Sequence, residues 1–202
     1  MTDVSASDFR HPRRYVRLDT ILRLRWLAAL GQLAAIFVVV QGLEYDMAII
    51  PCVTVIGLSA ALNLVLQTLF NPVHRLEAIS AAGLLALNII ELAALLYFTG
   101  GIENPFSVLL VAPVTVAAAT LPPRHTIVLG GLVVAAGTVL ITHHYPLPWY
   151  EGLRFELPRD YKIGALVALT ASMAFMAFYT WRLNKESRQM SAALAATDMV
   201  LA

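Results

Sequence analysis

Long apolar runs separated by short polar segments dominate this chain. The runs are continuous rather than alternating, and several approach the roughly twenty residues that a helix needs to cross about 30 Å of hydrocarbon. We therefore predict an all-α integral membrane protein with six transmembrane helices. Their predicted bounds are residues 24–42, 48–69, 78–99, 104–121, 126–143 and 162–181.

Composition supports this class of protein. Apolar residues make up 59% of the chain and charged residues only 13%, whereas a soluble domain carries roughly 25% charged residues. The six spans are expected to form one transmembrane domain, residues 24–181. A basic segment, residues 1–23, precedes it.

The distribution of basic residues predicts the orientation of the spans. Lys and Arg accumulate in cytoplasmic loops of membrane proteins. One side of the predicted spans carries Arg10, Arg13, Arg14, Arg17, Arg23, Arg25, Arg75, Arg124, Arg182, Lys185 and Arg188. The other side carries Arg154 and Arg159, and Lys162 lies at a boundary. We therefore predict a multi-pass membrane protein with both termini in the cytoplasm.

The last span is predicted to continue as a cytoplasmic signalling helix, residues 182–202, because no Gly or Pro interrupts it after Met173. Apolar positions there alternate in steps of four and three, which is the heptad pattern of a coiled coil. The positions are Leu183, Ser187, Met190, Leu194, Thr197 and Leu201, of which the polar Ser187 and Thr197 weaken the pattern. We expect a short parallel stalk in a homodimer, truncated before an output domain. A passive dimerisation stalk is the alternative.

A short loop between the third and fourth spans carries the strongest candidate for ligand chemistry. Its glycines allow backbone angles closed to other residues, an asparagine supplies a donor and an acceptor, and an aromatic ring can stack on a flat ligand. Asn104 and Pro105 also suit the N-cap and first turn of the next helix. The candidate quinone-binding residues are Tyr97, Phe98, Gly100, Gly101, Asn104, Pro105 and Phe106. A tight interhelix turn with ordinary caps is the alternative.

The loop also carries a family resemblance. Gly100–Phe106 reads Gly-Gly-x-x-Asn-Pro-Phe, with Ile102 and Glu103 at the variable positions, and it resembles the quinone-site heptapeptide of the RegB/PrrB family of redox-sensing histidine kinases. The six-span layout with cytoplasmic ends also resembles that family's sensor region. The resemblance implies that the loop binds ubiquinone or ubiquinol, and that the redox state of the quinone pool adjusts an autokinase that phosphorylates a response regulator.

The catalytic parts of such a kinase are missing from this sequence. None of the five histidines begins a His-Glu phosphoacceptor motif, and no Gly-rich nucleotide motif follows the last span. The redox-active cysteine of the family lies in its kinase region, and Cys52 does not match it. We therefore predict no catalytic residue in this chain, which resembles only the sensor.

Glu91 and Asn88 form a second candidate site inside the third span. An ionisable group at this depth is costly, and burial favours its protonated form. Asn88 lies three residues earlier and so on the same helix face. An interhelical hydrogen bond to Gln32, Asn63 or Gln67 is one interpretation, and a proton-coupled role is the other.

Other functional classes receive less support. A transporter or channel usually carries several polar groups at mid-membrane and often internal repeats, and here the midplane offers mainly Asn88 and Glu91. A purely structural, dimerising membrane anchor remains a further alternative. A quinone-reducing enzyme needs an electron donor site, and the sequence has no cysteine cluster or flavin motif.

Adjacent His143 and His144 point apart on a helix, so we expect no metal site. Nothing in the sequence suggests a nucleic-acid partner.

Overall fold

The computed structural model describes residues 16–71, 75–150 and 156–201. Within them the chain forms six α-helices: α1 (Leu18–Phe37), α2 (Ile49–Leu69), α3 (Ala78–Phe98), α4 (Val111–Thr120), α5 (Pro123–Thr142) and α6 (Arg159–Leu201). A π-helical turn, Val38–Gly42, extends α1, and two 3-10 segments, Gly101–Glu103 and Pro105–Leu110, connect α3 to α4. Strand β1 (Val16–Arg17) pairs antiparallel with β2 (Arg75–Leu76).

Five helical segments are long and apolar enough to cross a membrane, and the segment Pro105–Thr120 is apolar but shorter. This segment changes from 3-10 to α geometry at Val111. With rises of about 2.0 and 1.5 Å per residue it spans about 27 Å. The all-α membrane class is therefore confirmed, while the sixth span and the cytoplasmic position of both termini stay predictions.

Three helices begin earlier than predicted. Helix α6 begins at Arg159 rather than at residue 162. Helix α1 begins at Leu18 rather than at residue 24, so Arg23 lies within the helix, and Arg25, which was counted among the basic residues on the cytoplasmic side, lies about two turns inside it. Helix α5 begins at Pro123 rather than at residue 126, because proline fits the first helical position, where its missing N–H is not needed. Most of the predicted basic segment, residues 1–15, lies outside the described residues.

The final helix is continuous over 43 residues, Arg159–Leu201. The prediction that the last span runs without a break into the signalling helix is therefore confirmed. Leu183 and Met190, two of the predicted heptad positions, are exposed on its surface. The side chains of residues 191–202 lie outside the described set, so the coiled coil and the homodimer stay predictions.

The helices enclose one apolar core. Helix α4 packs on α5 and α6, α3 packs on α5, and α1 packs mainly on α2. The core is made of buried side chains from five helices, α1 and α3 to α6, including Leu22, Leu85, Ile89, Val114, Leu129, Val133 and Leu169. The outer surface is also apolar: Leu27 is 67% exposed and Ile50 is 81% exposed. A large apolar exterior around an apolar core suits helices surrounded by lipid.

Candidate functional site: a membrane cavity bounded by the heptapeptide

A cavity of about 630 Å³ lies between α1, α3 and α4. Because α1 packs mainly on α2, a gap remains between α1 and the α3–α4 pair. Most of its lining is aliphatic, with few polar side chains. This volume falls in the range of pockets that hold small molecules. The lining extends from Arg25 on α1 to the heptapeptide, residues 100–106, at the other end.

Three residues of the heptapeptide, Asn104, Pro105 and Phe106, line the cavity. The side-chain carbonyl of Asn104 accepts a hydrogen bond of 2.9 Å from the Phe106 N–H, and Pro105 occupies the first position of the following 3-10 segment. The predicted N-cap is therefore confirmed. The ring of Phe106 is 50% exposed, so it offers an accessible apolar surface at this end of the cavity.

The amide hydrogens of Asn104 are already used inside the loop. Its Nδ2 atom donates to the backbone carbonyl of Thr99 and to the Thr99 hydroxyl, both at 2.8 Å. These bonds tie the end of α3 to the start of the next segment. The Asn104 carbonyl keeps one lone pair beyond its bond to Phe106, so it can accept but its amide has no hydrogen left to donate.

The two glycines permit the sharp turn, as predicted. Gly100 has φ 107° and Gly101 has φ 60°, values that favour residues without a β-carbon. Gly100 and Gly101 are also candidate ligand-binding residues, and the structure places protein atoms against their backbone. A β-carbon on Gly100 would lie 2.8 Å from the Leu147 Cα, and one on Gly101 would lie 2.7 Å from the His144 ring. Their contact with a ligand stays a prediction.

The aromatic residues before the glycines pack on the connection between α5 and α6. The rings of Tyr97 and Phe98 lie 5.7 and 5.5 Å from the ring of Tyr145, respectively, and the Tyr97 carbonyl accepts a hydrogen bond from the Tyr145 N–H. Neither Tyr97 nor Phe98 is among the residues that line the cavity. Their predicted contact with the ligand stays a prediction.

The loop between α1 and α2 and the loop between α5 and α6 meet at the heptapeptide end of the cavity. The backbone N–H of Asp46 donates to the carbonyl of Trp149 at 3.2 Å, and the rings of Tyr45 and Trp149 lie 5.3 Å apart. Both aromatic residues line the cavity. Desolvation raises the pKa of Tyr45, with further contributions from a hydrogen bond and electrostatic repulsion with Tyr150. Tyr45 therefore stays neutral at physiological pH.

A buried ion pair joins the heptapeptide to α6. Lys162 Nζ lies 2.7 Å from Glu103 Oε1, and the Glu103 side chain is only 1% exposed. The same oxygen accepts a hydrogen bond of 3.0 Å from the Leu157 N–H. The heptapeptide is therefore in direct contact with the first turn of α6. The sequence interpretation missed this pair, although a lone lysine opposite an acid at a span boundary was a usable signal.

Glu91 belongs to a polar network that joins α1, α2 and α3. Its Oε2 atom accepts a hydrogen bond of 2.6 Å from Ser59 and lies 3.4 Å from Arg25 NH2. Arg25 also donates to Ser59 and to Asn63, at 2.7 and 2.6 Å. An interhelical hydrogen bond was predicted and is present, but its partners were named wrongly.

The error has one cause. We assigned Arg25 to the region before the first span, so Glu91 had no counterion and was expected to be protonated. The structure places Arg25 inside α1 and only 4% exposed. Asn63 reaches Glu91 only through Arg25 and Ser59, and the described contacts of Glu91 include neither Gln32 nor Gln67.

Comparison with known proteins adds two relatives. Two curated proteins named "Sensor histidine kinase RegB", both from Cereibacter sphaeroides, match nearly the whole chain. One is 35% identical over 185 residues, or 92% of this chain, and the other is 36% identical over 187 residues, or 93%. The chain spans 40% of the length of each relative. No protein-family model and no solved structure matches the chain.

Proposed function

We propose that this chain, a homologue of the RegB sensor histidine kinases along nearly its whole length, is the membrane sensor part of a two-component histidine kinase. It binds ubiquinone or ubiquinol in the cavity and reports the redox state of the quinone pool to a cytoplasmic kinase. The observation that carries this proposal is the cavity of about 630 Å³, which ends at the heptapeptide. In this proposal the protein spans the bacterial inner membrane with both termini in the cytoplasm.

The chemistry of the cavity suits a quinone. An isoprenoid quinone combines a flat ring that carries two oxygens with a long apolar tail. The cavity is almost entirely apolar and ends at Pro105 and Phe106. The half-exposed Phe106 ring can stack on the quinone ring, and the aliphatic lining can hold part of the tail.

The Asn104 carbonyl gives the site a means to separate the two redox forms. A quinone offers only acceptors, whereas a quinol also donates hydrogen bonds through its hydroxyl groups. The free lone pair of the Asn104 carbonyl can accept from a quinol but not from a quinone. Such a difference is required, because a ligand that binds both signalling states equally well shifts neither of them.

The signal leaves the site through the ion pair between Glu103 and Lys162. Glu103 lies between the turn glycines and Asn104, and Lys162 lies in the first turn of α6. A change in the heptapeptide therefore moves or rotates α6, which continues unbroken to Leu201. In a homodimer, two such helices would carry the change to the kinase and its response regulator.

A chimeric kinase tests the proposal. This chain would replace the matching segment of RegB from Cereibacter sphaeroides, and autophosphorylation would be measured in proteoliposomes with oxidised or reduced ubiquinone. The rate is expected to differ between the two forms, and Asn104→Ala or Phe106→Ala is expected to reduce the difference. Phe37→Ala is the matched control, because Phe37 is 68% exposed and lies outside the cavity lining. An active chimera that ignores the quinone redox state would refute the proposal.

A further inference from the structure

The middle of the cavity contains two amide side chains without hydrogen-bond partners. Gln32 on α1 and Asn88 on α3 both line the cavity. The side-chain nitrogen and oxygen of Gln32 and the side-chain oxygen of Asn88 are buried, and none of these three atoms has a partner within the described residues. Buried amides are costly in apolar surroundings unless they are hydrogen-bonded. A ligand that enters the cavity can supply the missing bonds.

The two amides lie about 6 Å apart in depth. Helices α1 and α3 start side by side, because β1 and β2 pair immediately before them. At about 1.5 Å per residue, Gln32 lies about 21 Å from the start of α1 and Asn88 lies about 15 Å from the start of α3. Asn88 is also about 17 Å from Thr99 at the other end of α3. The amides therefore form a layer about 6 Å deep in the middle part of the cavity.

The neighbouring charges are balanced, which limits the kind of ligand. Arg25 also lines the cavity, and its NH1 atom has no partner among the described residues. Its charge is compensated by Glu91 at 3.4 Å. An added anion would meet the Glu91 carboxylate, and an added cation would meet Arg25. The layer therefore favours a neutral polar group, such as a carbonyl or a hydroxyl.

Free donors distinguish this layer from the heptapeptide end. Both amide hydrogens of Asn104 bind Thr99, and the Thr99 hydroxyl donates to the Leu95 carbonyl. An oxidised quinone accepts hydrogen bonds and cannot donate them, so it needs donors from the protein. The Gln32 NH2 group lacks a partner and can supply them.

We infer that Gln32 and Asn88 form a second ring-binding subsite at mid-membrane, which holds the carbonyl-bearing ring of a neutral, quinone-class lipid by hydrogen bonds to its oxygens. The inference rests on the proposed function, in that it assumes that the cavity accepts quinones. It adds a ring position about 11–17 Å along the helices from the end of α3, where the heptapeptide begins. The Gln32 NH2 group can donate to a carbonyl of the oxidised quinone, and the Gln32 and Asn88 side-chain oxygens can accept from the hydroxyl groups of the quinol. The subsite therefore holds either redox form.

Photolabelling of the wild-type chain in nanodiscs tests the position without any substitution. A ubiquinone analogue with an azide on its ring would be irradiated in its oxidised form, and labelled residues would be located by mass spectrometry. Labels are expected on α1 and α3 near Gln32 and Asn88. Excess unlabelled ubiquinone should suppress them, whereas the same amount of added phospholipid should not. Suppression by phospholipid would show a general lipid site and overturn the inference.

Substitution of Gln32 and Asn88 measures how much their hydrogen bonds to the ligand contribute to binding. Gln32→Met and Asn88→Leu keep the size of each side chain and remove its amide. Gln32→Met is expected to raise the dissociation constant of oxidised ubiquinone, and Asn88→Leu that of ubiquinol, each about three- to tenfold, the range for loss of one or two hydrogen bonds. Gln67→Met is the matched control, because Gln67 is exposed on α2 and lies outside the cavity lining. Its dissociation constant should match that of the wild type.

The outcomes separate this inference from the proposed function. Labels confined to residues 104–109, together with unchanged affinity in Gln32→Met and Asn88→Leu, would overturn the mid-membrane subsite and leave quinone binding intact. An absence of saturable binding by the folded wild type would overturn both.

Discussion

Replacement of Glu103 by glutamine is expected to loosen the link between the heptapeptide and α6. Glu103 Oε1 lies 2.7 Å from Lys162 Nζ, and the two side chains are 1% and 14% exposed. Removal of one partner from a fully buried ion pair costs about 3–5 kcal/mol, because the other charge is left unpaired. Lys162 retains some access to solvent, so we expect a loss of about 2–3 kcal/mol in the free energy of unfolding.

A double-mutant cycle isolates the pair from other effects of each substitution. Glu103→Gln, Lys162→Met and the double variant would be unfolded reversibly in detergent micelles, with the wild type as reference. The expected coupling energy is about 2 kcal/mol, within the range for residues in direct contact. The exposed pair of Arg182 and Glu186 on the same helix, 3.1 Å apart, is the control. Its coupling should be about 0.3–0.5 kcal/mol.

The cycle also tests the proposed route of the signal. In the chimeric kinase, Glu103→Gln should weaken the response of autophosphorylation to quinone more than it weakens quinone binding, because Glu103 is not among the residues that line the cavity. A coupling energy below about 0.5 kcal/mol would equal that of an exposed pair. It would refute the reasoning that a buried ion pair connects the loop to α6.

Three further predictions concern stability, measured by reversible unfolding in detergent. Arg25→Met should lower the free energy of unfolding by about 3 kcal/mol, because it leaves the Glu91 carboxylate buried without a counterion. Adding Glu91→Met should recover most of this loss. A double variant without any recovery would contradict the pairing. Gly100→Ala should lower the free energy of unfolding by about 2 kcal/mol or more, since φ is 107° at Gly100. Gly83→Ala in α3 is the control and should be neutral or stabilising, because Gly83 has open space around it. Equal effects of the two substitutions would contradict the turn geometry. Asn104→Ala should cost about 1–2 kcal/mol through loss of the N-cap, and Asn104→Ser, which keeps an uncharged capping oxygen, should cost less. An equal or larger loss for Asn104→Ser would argue against capping.

The class of the protein and the local geometry of the loop followed from sequence. Continuous apolar runs specify membrane helices, and the chain has no residue that would stop α6 at the membrane surface. Positive backbone angles at Gly100 and Gly101 and the cap at Asn104 also follow from the residue types. Each of these features depends on neighbours within a few positions, which is why a linear pattern is enough to predict it.

The partners across the fold could not be predicted in this way. Glu91 meets Arg25 because α1 starts earlier than its apolar run and carries the arginine inward. Glu103 meets Lys162 because α6 returns beside the loop. The cavity exists because α1 packs mainly on α2. These features depend on how helices pack, and a hydropathy pattern gives the faces of helices without their neighbours.

Binding of oxidised and reduced ubiquinone to this chain in nanodiscs tests the central claim most directly. The wild type would be compared with Ala112→Trp, which fills the cavity, and with Ala61→Trp, which adds the same bulk on α2 outside the cavity lining. The account predicts saturable binding with different dissociation constants for the two forms, lost in Ala112→Trp and kept in Ala61→Trp. Equal affinity for both forms, or unchanged binding in Ala112→Trp, would contradict it.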